Sequence, residues 1–194
     1  MNAKKASTLP NDLVPHPRAV FFDRDGTLIV DKVYLNDPDQ IEYLPGVFEA
    51  LRSLRDVGFV FFVVTNQSGV PRGLVQPKNL IEIHRRMRAA FAEHGVDLAD
   101  FYYAPYHTDH DHPYRKPNPG MLLQAAQEYR VDLGRSWMIG DRMTDVEAGH
   151  RAGARTVLVN SSEKPEKSQY AAPDFVCASI VDVAKMILSQ ESAI

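Results

Sequence analysis

The sequence predicts an α/β fold in which a Rossmann-like parallel sheet carries helices on both faces. Two features of the chain support this prediction. Short apolar runs rich in β-branched and aromatic residues alternate with longer amphipathic stretches, as in sheets whose strands are joined by helices. The run FVFFVV at residues 59–64 is apolar throughout, which is typical of a central strand buried on both faces. With 194 residues, the chain is long enough to form one domain with its own core.

The first half of the chain contains three predicted strands and two predicted helices. Its apolar runs predict strands at residues 19–22, 59–64 and 101–104. Residues 47–57 form a predicted helix, and Gly58 lies where its C-cap is expected. Residues 77–93 form the second helix, because Pro77 suits a first helical turn. Apolar residues recur along it at helical spacing, namely Leu80, Ile83, Met87 and Phe91.

The second half continues the same alternation. Its apolar runs predict strands at residues 137–139, 156–159 and, more weakly, 175–176. Its amphipathic stretches predict helices at residues 118–129, 145–152 and 181–188, with Pro119 in the first turn of the first of them. Two long stretches, 31–43 and 105–115, are predicted to be irregular, and long loops in a compact domain are often functional.

Composition excludes several classes of partner. The formal net charge is −3 and there is no long basic patch, so nucleic acid is not an expected partner. No apolar run approaches the length of a membrane span, and the N-terminus lacks the apolar stretch of a secretory signal. Residues 1–17 are interpreted as a flexible tail and residues 18–194 as a single domain. The single cysteine, Cys177, fits a reducing compartment, so we expect a cytoplasmic protein.

The segment FFDRDGTL places two carboxylates, Asp23 and Asp25, directly after the first predicted strand. In open α/β sheets, ligands bind beyond the carboxyl ends of the strands. One carboxylate there can attack phosphorus, while the other protonates the leaving oxygen and later deprotonates water. The simpler alternative is a polar turn in which Asp and Gly serve only the geometry, but DxDGT is more specific than such a turn.

Three further polar segments follow other predicted strands. Thr65 and the amides of TNQSG could hold phosphoryl oxygens, and Lys116 of RKPNP could neutralise phosphate charge. Asp141 of GDRMTD could bind a hard cation through oxygen. Each has a simpler alternative: a common loop residue, an exposed cation, or an N-cap acid, a role that Thr144 or Asp145 would fill equally well. Because each segment follows a different strand, one edge of the sheet would gather all of them.

Asp, Thr, Lys and Asp in this order resemble the pattern of the haloacid dehalogenase-like (HAD-like) phosphatase superfamily, over residues 18–188. Within it, FFDRDGTLIVD, VVTNQSGVPRG, RKPNPGML and IGDRMTDVEAG are most similar to the D-glycero-D-manno-heptose 1,7-bisphosphate 7-phosphatases, which are grouped with histidinol-phosphate phosphatases. The resemblance implies a HAD-like fold with no cap domain, since the stretches between Asp23, Thr65 and Lys116 are too short for one. It also implies Mg²⁺ as cofactor and an open site in which loops select a small phosphorylated substrate.

The resemblance implies a role for each matching residue. Asp23 would be nucleophile and metal ligand, and Asp25 would be the general acid/base that gives its backbone carbonyl to the metal. Thr65 and Lys116 would stabilise the phosphoryl group, and Asp141 would complete the magnesium site. The substrate contacts that it implies are Arg24, Asp31, Lys32, Val33, Tyr34, Asn66, Gln67, Ser68, Arg72, Arg115 and Arg142.

One loop departs from the family pattern. Many members bind a structural zinc there through three cysteines and one histidine, whereas this chain has the sequence YYAPYHTDHDHPYRKP, without cysteine. The five His and Asp side chains between residues 107 and 112 could bind a metal by composition, but neighbouring residues rarely converge on one tetrahedral ion. We therefore expect a solvated polar loop and no structural zinc.

The remaining aromatic, thiol and imidazole side chains receive structural interpretations. Trp137 is a predicted core residue, and Cys177 is interpreted as a small core residue rather than a reactive thiol. His84, His94 and His150 are interpreted as helix-surface residues.

These observations lead to one functional hypothesis and two alternatives. The hypothesis is a magnesium-dependent phosphomonoester hydrolase with an aspartyl-phosphate intermediate, acting on a sugar phosphate such as D-glycero-D-manno-heptose 1,7-bisphosphate and removing its 7-phosphate. The first alternative is a phosphatase for histidinol phosphate or another small ester. The second is a catalytically silent phosphate-binding protein, against which the intact acidic and basic residues argue. The sequence leaves the sugar open, and also the choice between a monomer and a small homo-oligomer.

Overall fold

The structure, a computed structural model, describes residues 16–191 and contains a six-stranded sheet with helices on both sides. The strands are β1 (Ala19–Phe22), β2 (Val60–Asn66), β3 (Leu98–Ala104), β4 (Trp137–Gly140), β5 (Arg155–Val159) and β6 (Phe175–Cys177). The helices are α1 (Val47–Asp56), α2 (Pro77–Glu93), α3 (Gly120–Tyr129), α4 (Met143–Ala152) and α5 (Ile180–Glu191). Among these residues, no helix combines the length and the apolar character that crossing a membrane requires.

All strand pairings are parallel, and the strand order is β3-β2-β1-β4-β5-β6. The chain builds one half of the sheet outward from β1 and then the other half outward from β4. These two strands are neighbours, with Phe22 opposite Ile139. The backbone N–H of Asp23 donates to the carbonyl of Ile139 at 2.9 Å, which joins the two strands at their carboxyl ends. A reversal of this kind opens a crevice beyond the strand ends, where ligands bind in open α/β sheets.

The sheet is buried on both faces because side chains alternate along each strand. Val20 and Phe22 face a core cluster formed with α1, α2 and α5. Ala19 and Phe21 face a second cluster formed with α3 and α4. All four residues are fully buried, which explains why β1 has no polar position before its carboxyl end.

The predicted α/β fold, with its parallel sheet and without a cap domain, is confirmed. The connections β1–β2 and β2–β3 contain loops and the helices α1 and α2, with no second domain among residues 16–191. The predicted elements are present, and the differences lie at their ends. Strand β3 begins at Leu98 rather than at residue 101, because pairing with Phe61 and Phe62 of β2 extends it past the polar Asp100, which interrupts the apolar run. Helix α4 begins two residues earlier than predicted, at Met143.

The structural interpretations of single side chains are confirmed in part. Trp137 is fully buried, Cys177 packs partly buried against the larger core cluster, and His94 is exposed. The prediction for His84 is wrong: only 8 % of this residue is exposed, because a ring of β3 and a side chain of the β1 loop cover it. The predicted tail, residues 1–17, falls mainly on residues 1–15, which lie outside the described residues.

Replacing Phe62 of β2 by alanine should lower the free energy of unfolding by about 3–5 kcal/mol, the usual cost of removing a buried aromatic ring. The ring is fully buried and lies 5.2 Å from that of Phe21 and 5.0 Å from that of Tyr129, centroid to centroid. Urea titration followed by circular dichroism measures the loss. Val176→Ala is the control, since Val176 is 66 % exposed on β6 and a change within about 0.5 kcal/mol is expected there. Equal effects of the two substitutions would contradict the place of Phe62 in the core.

Candidate active site

A cavity of about 380 Å³ lies at the carboxyl ends of β1, β2 and β4, beside the crevice between β1 and β4. Its walls come from the loops after β1, β2 and β3 and from the turn before α4. The structure thus brings together the four segments that the sequence analysis placed at one sheet edge. The sequence-predicted site residues that line the cavity are Asp23, Asp25, Asp31, Val33, Tyr34, Thr65, Asn66, Gln67, Ser68, Arg72, Arg115, Lys116 and Arg142.

Lys116 is a buried ammonium that two carboxylates share. Its Nζ donates to Asp23 Oδ1 at 2.6 Å and to the carbonyl of Val64 at 2.8 Å, and it lies 2.6 Å from Asp145 Oδ1. Burial alone would lower the pKa of Lys116, but Asp145 and Asp23 outweigh it and raise the pKa. The lysine therefore stays protonated and holds both carboxylates in place.

The side-chain amide of Asn66 holds the segment that carries Lys116. Asn66 Nδ2 donates to the backbone carbonyl of Lys116 at 3.0 Å, and Asn66 Oδ1 accepts from the backbone N–H of Lys116 at 3.0 Å. This reciprocal pair ties the end of β2 to the loop after β3. Lys116 is therefore positioned through its main chain as well as through its charge.

Three carboxylates, those of Asp23, Asp141 and Asp145, converge where β1 and β4 end. One oxygen of each lies within 4.8 Å of the others. Gly26, at a φ of +80°, allows the β1 loop to approach Asp141, because a Cβ there would lie 2.5 Å from a carboxylate oxygen. Gly140 does the same for Asp145, whose carboxyl carbon would lie 2.3 Å from an added Cβ. Carboxylate oxygens are the ligands of hard cations such as Mg²⁺, so this acidic cluster is a candidate metal site.

Two properties of Asp141 show that the acidic cluster fits a cation. Its Oδ1 is buried and has no hydrogen-bond partner, which is unfavourable unless an ion or water completes its contacts. Burial, and then the charges of Asp23 and Asp145, raise the pKa of Asp141 to about 7. A bound divalent cation would offset this repulsion. The residues present therefore fit a metal ion held by oxygen.

Asp25, the second carboxylate of the β1 loop, is contacted by donors from two side chains. Arg24 Nε donates to Oδ2 and Arg24 Nη2 to Oδ1, each at 3.0 Å. Gln67 Nε2 donates to Asp25 Oδ2 at 3.1 Å and to Thr65 Oγ1 at 2.9 Å, which links the β1 and β2 loops. Burial raises the pKa of Asp25, although Arg24 opposes the increase. A raised pKa keeps a proton available, as a general acid requires.

Three arginines surround the outer part of the cavity. Arg142 Nη2 donates to Asp31 Oδ2 at 3.2 Å, and Arg72 Nη1 donates to the hydroxyl of Tyr34 at 3.1 Å. Arg115 Nη1 is buried without a hydrogen-bond partner. Burial, and then the nearby charges of Arg72 and Arg142, lower the pKa of Arg115. Adjacent cations with an unpaired buried N–H can bind an anion.

The loop after β1 presents Val33 at the rim of this cavity. Val33 is 76 % exposed, and its φ of +66° lies in the left-handed region that β-branched residues rarely adopt. Asp31 Oδ1 accepts from the backbone N–H of Val33 at 2.7 Å and stabilises this turn. Strained backbone of this kind is concentrated at ligand sites.

Two residues expected at the substrate do not line the cavity. Lys32 donates to Glu42 at 2.7 Å, away from the lining, and Arg24 is only 1 % exposed because its guanidinium binds Asp25 and His84. Asp141 belongs to the acidic cluster and is not among the lining residues. The structure adds lining residues that the sequence analysis did not assign to the site: Gly69, Thr108, Thr144, Asp145 and Glu163.

Asp145 is the main residue that the sequence analysis missed. Its Oδ2 accepts from the backbone N–H of Arg142 at 3.0 Å, at the start of α4, so the helix-capping alternative describes a real contact. Its other oxygen pairs with Lys116. No signal near Asp145 in the sequence reveals this pairing, because Lys116 lies in a different segment of the chain.

The His/Asp-rich loop before Lys116 is held by ring contacts and side-chain bonds. Tyr106 stacks on His112 with ring centroids 3.6 Å apart. Asn118 Nδ2 donates to Asp111 Oδ1 at 2.6 Å and to the carbonyl of His112 at 3.1 Å. Among residues 16–191, the acidic cluster is the only place where three potential metal ligands lie close enough to bind one ion. This cluster lies outside the His/Asp-rich loop.

Comparisons with known proteins agree with this geometry. A family model described as HAD-hydrolase-like matches residues 113–183. The D-glycero-beta-D-manno-heptose-1,7-bisphosphate 7-phosphatase of Pasteurella multocida is 38 % identical over 182 residues, which cover 90 % of this chain and 99 % of the relative. The protein of the same name from Escherichia coli K12 is 36 % identical over 181 residues, which cover 89 % and 95 %.

Solved structures give the same result. The D,D-heptose 1,7-bisphosphate phosphatase of B. bronchiseptica, crystallised with magnesium and phosphate, has a TM-score of 0.81 at 30 % identity and covers 89 % of this chain and 99 % of its own. The fold and the site thus define a HAD-like hydrolase. The chain belongs to the family of the D-glycero-β-D-manno-heptose-1,7-bisphosphate 7-phosphatases. The resemblance stated from the four motifs is confirmed.

Replacing Asp141 by asparagine should stabilise the metal-free protein at pH 8. The raised pKa of Asp141 means that the folded chain holds a proton that the unfolded chain has lost between about pH 4 and pH 7. Stability therefore falls as pH rises through this window, and the loss is complete above it. The asparagine side chain carries no charge, so we expect the substitution to raise Tm by roughly 2–4 °C at pH 8, which corresponds to about 1 kcal/mol for a chain of this size. The difference in Tm should become smaller as the pH is lowered towards about 4.

Thermal unfolding in chelator measures this effect, and Asp97→Asn, at an exposed acid, is the control. Adding MgCl₂ should reverse the order, since the ion stabilises the form that binds it. The parent protein should then gain more in Tm than the Asp141→Asn variant. A variant that is less stable than the parent at pH 8 in chelator would contradict the repulsion described here.

Proposed function

We propose that this chain is a magnesium-dependent phosphatase that forms an aspartyl-phosphate intermediate on Asp23. The observation that supports this most is the arrangement of three groups at one cavity. The Asp23 carboxylate is held by the buried ammonium of Lys116, next to the Asp25 carboxyl with its raised pKa. This arrangement pairs a nucleophile with a general acid. Family membership points to the same reaction.

The reaction has two displacements at phosphorus. The Asp23 carboxylate attacks phosphorus, and the bond from phosphorus to the sugar oxygen breaks while Asp25 gives its proton to that oxygen. The sugar leaves as an alcohol. Asp25, now ionised, then takes a proton from water, whose oxygen attacks the phosphorus of the aspartyl-phosphate. Inorganic phosphate leaves, and both carboxyl groups return to their starting states.

The transferred phosphoryl group needs compensation for its negative charge. Lys116, the hydroxyl of Thr65 and the β2 loop would supply it, and Asn66, Gln67 and Ser68 line the same wall. Mg²⁺ bound to Asp23, Asp141 and the backbone carbonyl of Asp25 would act as a Lewis acid that offsets the repulsion between two anions. Such electrostatic positioning is the main requirement, because phosphate monoester hydrolysis is among the slowest uncatalysed reactions.

The substrate that we propose is D-glycero-D-manno-heptose 1,7-bisphosphate, from which the 7-phosphate is removed. Relatives named for this activity match the chain over nearly their whole length. Arg72, Arg115 and Arg142 suit a substrate with a second anionic group, which they would bind at the outer cavity. Histidinol phosphate has one phosphate and a cationic amine, which three arginines disfavour.

The cellular setting belongs to the same proposal. The partner is a small phosphorylated substrate, and the protein acts in the cytoplasm as a monomer or small homo-oligomer. The single cysteine supports a reducing compartment, and the net charge of −3 supports the absence of a nucleic-acid partner.

Phosphate release from a panel of esters tests the proposed substrate. Heptose 1,7-bisphosphate should be hydrolysed with a kcat/KM about 10-fold or more above those of histidinol phosphate and hexose monophosphates, because the arginines lose a partner with the latter. Asp23→Asn is the control and should abolish turnover while leaving the far-UV circular dichroism unchanged. Activity in a folded Asp23→Asn protein would contradict the mechanism, and a preference for histidinol phosphate would contradict the substrate.

Elemental analysis of protein prepared without a histidine tag should find far less than one zinc per chain. The loop before Lys116 has no cysteine, and a closed zinc site needs four ligands in tetrahedral geometry. The ring contact between Tyr106 and His112 supplies packing in this loop instead. Near-stoichiometric zinc that is lost on replacing His110 and His112 by alanine, but kept in His94→Ala, would show that the prediction is wrong.

A further inference from the structure

Arg24 is a buried arginine whose guanidinium is bonded at both ends. Its Nε and Nη2 form a fork on the carboxylate of Asp25, and its Nη1 lies 3.3 Å from His84 Nε2. Only 1 % of Arg24 is exposed. The guanidinium therefore cannot turn towards a ligand without losing one of these contacts, and its place is fixed by an acid on one side and an imidazole on the other.

His84 lies on α2, far along the chain from the β1 loop, and is fixed by packing. Its ring stacks on that of Phe101 in β3, with centroids 4.7 Å apart and an angle of 23° between the planes. Burial, and then the charges of Arg24 and Arg88, lower the pKa of His84 to about 3. The imidazole is therefore neutral at ordinary pH. Its Nε2 accepts from Arg24 Nη1, which places the ring proton on Nδ1.

The fork of Arg24 leaves one part of Asp25 free. A carboxylate offers about four lone-pair sites, and Arg24 Nε, Arg24 Nη2 and Gln67 Nε2 occupy three of them. The direction of the remaining site depends on how the guanidinium is turned. Because buried N–H groups are paired in folded proteins, an Arg24 Nη1 without His84 would seek another acceptor and turn the fork on Asp25.

We propose that His84 is a positioning residue for Asp25, acting through Arg24, so that the free site of the carboxyl group points at the leaving oxygen. This inference rests on the proposed function, in which Asp25 is the general acid. His84 touches neither the phosphate nor the metal ligands; it fixes the guanidinium that fixes the acid. The chain of contacts runs from α2 through the β1 loop to the reacting atoms.

A comparison of two leaving groups separates this role from packing. The sugar alkoxide of heptose 1,7-bisphosphate needs a proton to leave, whereas the p-nitrophenolate of p-nitrophenyl phosphate leaves without one at neutral pH. The ratio kcat/KM covers the steps up to release of the alcohol, so it reports the first displacement for both esters. A misdirected Asp25 therefore slows the sugar ester and spares the aryl ester, while a loosened site slows both.

The variant His84→Phe keeps a ring on Phe101 but cannot accept from Arg24. Its kcat/KM for heptose 1,7-bisphosphate should fall about 10-fold or more, since general acid catalysis contributes about 10²–10⁴. Its kcat/KM for p-nitrophenyl phosphate should change less than about 3-fold, because the p-nitrophenolate needs no proton from Asp25 in order to leave. His84→Gln places an amide oxygen near the position of Nε2 and should recover most of the loss. The control is His94→Phe at the end of the same helix, where the exposed imidazole stacks on Phe48, and it should leave both esters unchanged.

Equal losses on both esters, no loss on either, or no recovery in His84→Gln would overturn the inference while the parent protein still turns over both esters. Failure of the proposed function would instead appear in the parent protein itself, as absence of turnover, and the inference would fall with it. Thermal unfolding of each variant shows that it is folded at the assay temperature.

Discussion

The buried ammonium of Lys116 is the interaction on which the site depends. It forms ion pairs with two carboxylates, Asp23 from the end of β1 and Asp145 from the start of α4, and its main chain is held in turn by Asn66 from the end of β2. Removing one partner of such a group leaves a charge in a place that water does not reach, which costs several kcal/mol. The Lys116 ammonium therefore connects the sheet edge with the loops around it, and it positions the Asp23 carboxylate before any substrate binds.

The two ion pairs of Lys116 leave the site with an excess of negative charge. Three carboxylates meet there, and Lys116 pairs with two of them, Asp23 and Asp145. Repulsion within the acidic cluster therefore lowers the stability of the metal-free chain, and a bound cation would offset this repulsion. Functional sites commonly reduce the stability of a protein in this way. Gly26 and Gly140 show that close approach is built in, because a side chain at either position would collide with one of these carboxylates.

Local patterns in the sequence predicted the central strands and the sheet edge where the site lies. Continuous apolar runs marked the central strands, and acid-bearing segments after them marked the edge where the site lies. The residues that were interpreted wrongly or overlooked make contacts between distant segments of the chain. His84 was placed on a helix surface because helical spacing does not show that Arg24, 60 positions away, covers it. Asp145 was considered only as a helix cap, since nothing in its neighbourhood reveals that Lys116 will lie against it. The early start of β3 was missed because the polar Asp100 interrupts the apolar run, although Leu98 before it is buried and pairs with β2.

The strand order that creates the crevice also affects how the protein is made. Strand β1 lies between β2 and β4, and the bond from Ala19 to the Ser136 hydroxyl on the β4 side spans 117 positions of sequence. At ribosomal rates of about 5–20 residues per second, roughly 6–23 s pass between synthesis of these two segments. During this time one edge of β1, with its apolar side chains, has no partner strand. Unpaired strand edges promote pairing between chains, so this strand order leaves nascent chains open to such pairing until β4 emerges.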